Sequence, residues 1–176
     1  MWYRIRNFFI ISGVVLAAYL LQYSVFIRIP VINCAPNMML MLAFAFGYVR
    51  NKNAGMLVGF FAGLLVDVFY CQVIGFNALM FMLVGFVCGA LKKVYYSNSV
   101  FMHIFILCMC DIVYDFAYYF FWFILQSRFA FKYYFVHVMV PEFCFTLVMG
   151  IILIKPLTAL IRRIYLYRSI NEADSI

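Results

Sequence analysis

Charge is what this sequence has least of. Only 11% of its 176 residues are Asp, Glu, Lys or Arg, and six of them are acidic. A soluble domain carries about a quarter charged residues, so a water-covered globular surface is excluded. Histidine is nearly absent: His103 and His137 are the only two. No HxxxH, HExxH or CxxC spacing occurs, so a metal site would need ligands gathered from several separate segments, and no metal is expected. No Ser, Cys or Lys nucleophile has an adjacent base in sequence, and no glycine-rich phosphate loop or dinucleotide fingerprint is present. The residues therefore name no catalytic group and no cofactor, and the expected protein is not an enzyme.

What the chain holds instead is apolar surface, with 69% hydrophobic and 22% aromatic residues. This is the composition of an integral membrane protein. At about 20 residues per crossing, the length accommodates five to seven helices and leaves nothing for a second folded domain. The expected architecture is one all-α bundle of six transmembrane helices, over residues 8–27, 38–49, 54–71, 76–91, 100–126 and 134–154. The first run is read as a retained span and not a signal peptide, since no small-x-small cleavage pattern follows it. Pro30 and Pro36 put a loop between the first two spans, and that loop is expected to support the second, whose 12 residues reach only about 18 Å against an apolar layer of about 30 Å.

Basic residues orient the bundle. Arg4, Arg6, Arg50, Lys52, Lys92, Lys93, Lys155, Arg162, Arg163 and Arg168 fall at one set of ends, and Arg28, Arg128 and Lys132 at the other. Cationic side chains concentrate on the cytoplasmic side, so both termini are expected there, in a multi-pass protein of the bacterial cytoplasmic membrane. In this setting the net charge of +7 points to the membrane surface and not to nucleic acid. Residues 157–168 show apolar positions at helical spacing among basic ones. They read equally as an amphipathic tail on the inner leaflet or as a continuation of the sixth helix past Pro156.

The third span carries the pattern around which the rest is organised. Gly55, Gly59, Gly63 and Asp67 recur every four residues and share one helix face. In lipid, where no hydrophobic drive presses helices together, small-xxx-small faces permit the close approach that supplies dispersion contacts. The face is a candidate packing or partner interface, with a second pair, Gly85 and Gly89, in the next span. Asp67, near the external end, is expected to receive a donor from an external loop or a partner helix, and Asp67→Asn to be tolerated for folding. Three further acids, Asp111, Asp115 and Glu142, are candidate buried polar groups. Each costs about 2.5 to 3.5 kcal/mol at mid-helix on insertion scales, so each should face protein or water. Cys34 and Cys71 fall toward the same side, where a disulfide is conceivable in an oxidising compartment.

The central block resembles a known family. Pro36-Asn37 before an apolar run, Gly55-x3-Gly59-Phe60-x2-Gly63-Leu64-x2-Asp67, and Gly75-Phe76-Asn77-Ala78-Leu79 leading to Gly85 and Gly89 are similar to the bacterial rod shape-determining protein MreD family. That resemblance implies a non-catalytic membrane scaffold of the cell-elongation machinery. Its partners would be an MreC-like single-span protein, an MreB-like filament, a RodA-like glycosyltransferase and a class B penicillin-binding transpeptidase, engaged in lateral peptidoglycan synthesis. It also implies a fold similar to the substrate-binding subunits of energy-coupling-factor transporters, which makes a vitamin-type transport subunit the alternative reading.

Overall fold

The computed structural model describes residues 2–25, 35–70, 74–92, 100–126 and 135–173. Six helices account for them, and no strand occurs among the described residues. Helix α1 (Trp2–Leu20) ends in a π-helical turn (Leu21–Val25). Then come α2 (Met38–Val49), α3 (Lys52–Tyr70), α4 (Phe76–Leu91) and α5 (Val100–Gln126). A second π-helical turn (Phe135–Met139) opens α6 (Val140–Ala173). Segments Lys52–Phe69, Phe101–Phe121 and Phe135–Arg163 are long and apolar enough to cross a membrane unaided, whereas Phe9–Ser24, Met38–Val49 and Phe76–Leu91 are shorter apolar stretches.

Two bounds differ from the sequence expectation for the same reason. Helix hydrogen bonds do not stop where apolarity stops, so α1 begins at Trp2, ahead of Arg4 and Arg6, and α6 runs on to Ala173 with Pro156 inside it. Residues 157–168 therefore continue the sixth helix and do not form a separate element. Proline removes one helical donor. In the following turn the Thr158 hydroxyl donates to the carbonyls of Ile154 (2.7 Å) and Lys155 (3.0 Å), so the polar backbone there stays engaged.

The short α2 is the axis of the molecule. Met38 through Gly47 are all buried, which suits a helix that is apolar around its whole circumference. It packs on α3, α4 and α6, with α1 and α5 alongside. About 18 Å of helix does not reach across an apolar layer of about 30 Å, so the backbone donors at its buried Asn37 end need protein partners. Each finds one. The Asn37 amide donates to Thr146 Oγ1 of α6 (3.1 Å), Met38 N to the Pro36 carbonyl (2.8 Å), Met39 N to Gln22 Oε1 of the first π-helical turn (3.2 Å) and Leu40 N to Asn37 Oδ1 (3.3 Å). At the opposite end, Lys92 Nζ donates to the carbonyls of Val49 (2.6 Å) and Arg50 (3.2 Å), closing α2 with a cation against its negative dipole end. Burial first, and the nearby Arg162 second, hold the Lys92 ammonium below the usual lysine range.

Candidate functional site

The glycine face of α3 is filled by the chain's own helices. A Cβ at Gly59 would overlap the carbonyl of Phe81, and one at Gly63 would lie 2.5 Å from Ala78 Cα, both on α4. A Cβ at Gly85 would overlap the Gly55 carbonyl, and one at Gly89 would overlap Lys52 Cα. Backbone thus touches backbone along the whole length of the α3–α4 seam, so dispersion contacts replace the hydrophobic drive that lipid does not provide. Gly47 of α2 belongs to the same junction, since a Cβ at Gly55 would stand 2.5 Å from Gly47 Cα. Reading of spacing alone passed over Gly47, although Ala43 and Gly47 form a small-xxx-small pair in their own helix.

Asp67 has no exposed surface and serves as the cap of a helix other than its own. Gly75, at the N-cap of α4, has φ +106°, a backbone position that a glycine fills without strain, and it carries no side chain with which to cap. The α3 carboxylate supplies what is missing. Its Oδ2 accepts from Gly75 N (3.0 Å) and Ala78 N (3.0 Å), and its Oδ1 accepts from Asn77 N (3.1 Å) and Asn77 Nδ2 (3.0 Å). The carboxyl group stands at the positive end of the α4 dipole, with no exposed surface of its own. One donor, Gly75, belongs to the external turn as position suggested, and the other three bonds come from the first turn of the next helix, residues Asn77 and Ala78. The Gly75-Phe76-Asn77-Ala78 stretch has a local logic: Gly75 turns the chain, Asn77 adds a side-chain donor, and Ala78 is small enough for the contact at Gly63.

Tyr114 of α5 completes this network by donating its hydroxyl to Asn77 Oδ1 at 2.7 Å. Tyr114 and Asn77 are both buried; Asn77 stood in the family-like block without a role of its own, and Tyr114 was not singled out from sequence. Tyr114→Phe is expected to cost about 0.5 to 1.5 kcal/mol, the ordinary net worth of one such bond, with the loss rising toward about 3 kcal/mol if Asn77 Oδ1 is left without any donor. Thermal unfolding in mild detergent measures it, and an unchanged melting curve refutes the role.

The other three acids of the apolar segments form a second polar group, on α5 and α6. Asp111 and Asp115 of α5 are buried, and Glu142 of α6 is half-buried. The three lie near enough to act on one another electrostatically. Thr146, whose hydroxyl oxygen receives the Asn37 amide, is close enough to influence Asp111 but outside hydrogen-bond geometry, so neither carboxylate oxygen of Asp111 has a partner. Among the described residues, no three His, Cys, Asp or Glu converge as metal ligands. Cys88 Sγ and Cys110 Sγ stand 3.7 Å apart in the α4–α5 contact as free thiols. Cys34 and Cys71, considered above as a disulfide pair, lie outside the described residues.

The family model described as rod shape-determining protein MreD matches residues 3–167 of the chain. No curated protein and no solved structure matches it.

Proposed function

The chain belongs to the MreD family of rod shape-determining proteins, and from that membership we propose that it acts in rod shape determination as a non-catalytic membrane scaffold for lateral wall synthesis. The observation that carries this reading is a solid centre. Met39, Leu40, Leu42, Phe44, Phe46, Phe81 and Leu107 are almost wholly buried around α2, and the α3–α4 seam is closed at backbone distance. Side chains packed at interior density make a rigid body that holds its outward faces in fixed relation. Those faces, on α1, α5 and α6, are strongly apolar, with Phe9, Leu16, Phe105, Val113, Phe120 and Ile152 among their exposed residues. Their contacts are then made in the plane of the bilayer, where an MreC-like span and the RodA-like and class B transpeptidase enzymes would meet the bundle, with an MreB-like filament beneath.

The alternative, a subunit like the substrate-binding components of energy-coupling-factor transporters, needs an enclosed polar pocket. An apolar filling around α2 favours the scaffold. Mild-detergent purification from the native host is the test. Wall-synthesis proteins should co-purify, and recovery of a transporter ATPase in their place overturns the reading.

The bias of ten basic residues against three predicts both termini in the cytoplasm with six crossings. Reporter fusions after Ser97 and after Ser127 should fall on opposite sides of the membrane, because α5 separates them. The same compartment for both refutes the sixfold topology.

A further inference from the structure

We propose that Asp115 and Glu142, with Asp111 behind them, receive a basic side chain from a membrane-spanning helix of another protein. The proposal deepens the scaffold reading and rests on it in one respect, that the occupant is a protein.

The contrast with Asp67 motivates it. Asp67 and Asp111 are both buried in the apolar layer, at 0% and 1% exposure. Four donors of the chain converge on the first, while both oxygens of the second have none. Asp115 adds another carboxylate one turn along α5, at 2% exposure, and Glu142 adds a third from the facing α6. Among the described residues, no cation pairs with any of the three. Three carboxyl groups gathered within the bundle, with no cationic partner among the described residues, make an incomplete arrangement, because intramembrane ionisable groups face protein and pair there.

Geometry narrows the occupant. An inorganic ion is disfavoured, since the acids do not converge as metal ligands. Glu142 lies seven residues into the apolar segment that begins at Phe135, which favours a cation carried on a protein side chain over the amine headgroup of a lipid. A long cationic stem entering from the bilayer reaches that depth. Glu142 is the half-open member and so the first contact, while Asp115 and Asp111 lie deeper. Arginine suits the site best, because its planar fork donates to two carboxylates at once and remains charged.

The test uses the purified full-length chain in lipid nanodiscs and three fluorescent polyleucine membrane-spanning peptides. One carries a single Arg about 10 Å below the external end, one has Gln at that position, and one is wholly apolar. The Arg peptide should bind at least about tenfold more tightly than the others, a modest gain for a desolvated charge pair. Asp115→Asn with Glu142→Gln, which keep side-chain volume, should remove that gain while the unfolding temperature stays at the wild-type value. Should the double variant fail to fold, Glu142→Gln alone, at the half-open position, should still remove most of the gain. Equal binding of the three peptides overturns the proposal. So does Arg-peptide binding that appears only after Arg28, Arg128 and Lys132 are all changed to Gln, which would mean the chain fills its own site. Displacement of the Arg peptide by sodium or potassium, but not by choline at equal ionic strength, overturns it in favour of an inorganic ion. The scaffold reading is judged apart from this: wall-synthesis proteins co-purifying with the wild type alongside equal peptide binding sink the site and leave the scaffold standing.

Discussion

Asp67→Asn is expected to abolish most folded protein, although the change alters a single atom. The native carboxylate presents two oxygens to four donors, two on each. An asparagine retains one oxygen and turns an NH2 group toward the other two, so donor meets donor at the start of α4. Water has little access to take over, because Asp67 has no exposed surface and, of its donors, only Gly75 is part-exposed. Each buried donor left unpaired costs about 1 to 3 kcal/mol, and two of them amount to about 2 to 6 kcal/mol. Loss of the charge at the helix N-terminus adds about 0.3 to 1 kcal/mol, or up to about 2 in a partly buried setting. The sum is a large part of the stability of an ordinary domain. Asp67→Leu removes all four acceptor contacts and should be worse. The check is the yield of monodisperse protein and its unfolding temperature in mild detergent, for both variants beside the wild type. An Asp67→Asn protein that melts like wild type would mean that the four-donor cap contributes little, and that the acid matters, if at all, through something outside the bundle.

Gly85→Ala should be nearly as damaging, with only a methyl group added. The new carbon would overlap the Gly55 carbonyl, and Gly55 has no room to retreat, because Gly47 of α2 stands behind it. An obstacle made of side chain yields by changing rotamer. One made of backbone on two other helices yields only if α4 moves away, which also lengthens the Asp67 bonds at the top of the same seam. Overpacking typically costs about 1 to 3 kcal/mol, and a rigid obstacle puts this substitution at the upper end. Gly13→Ala in α1 is the matched control, since nothing lies within 4 Å of the added carbon. Alanine there should be neutral, or stabilising by up to about 1 kcal/mol through helix propensity. If both variants unfold at the same temperature, the seam is looser than its backbone contacts indicate. If Gly85→Ala folds normally but loses its co-purifying partners, the face serves docking more than internal packing.

These two expectations show how unevenly the molecule could be read from residue order. The four-residue spacing of Gly55, Gly59, Gly63 and Asp67 establishes a common face, because 3.6 residues per turn is a local rule that needs no partner. The same rule says nothing about what lies opposite. Asp67 therefore invited a loop or a foreign helix as donor; the turn supplies one bond through Gly75, and three come from Asn77 and Ala78 at the start of α4. The expectation that Asn would be tolerated there followed from counting one donor, and four donors reverse it. Gly47 was passed over because its significance comes from two helices that meet it in space. Thr146 is a similar case, since its hydroxyl matters through an amide 109 residues away.

Sequence alone determined the membrane class, the six apolar segments, the seats of tight packing on α3 and α4, and the three acids that lipid would penalise. Each of these depends on quantities summed along a contiguous stretch: transfer free energy over about 20 residues, or angular position at 100° per residue. Tertiary structure decided which helix is the axis, that α6 runs unbroken past Pro156, that the carboxylate of α3 caps α4, and that Asp111 is left without a donor while Asp67 receives four. Those outcomes depend on directional bonds and backbone contacts between segments far apart in the chain. A hydrogen bond is specified by where two groups meet in space, and no local periodicity encodes that meeting.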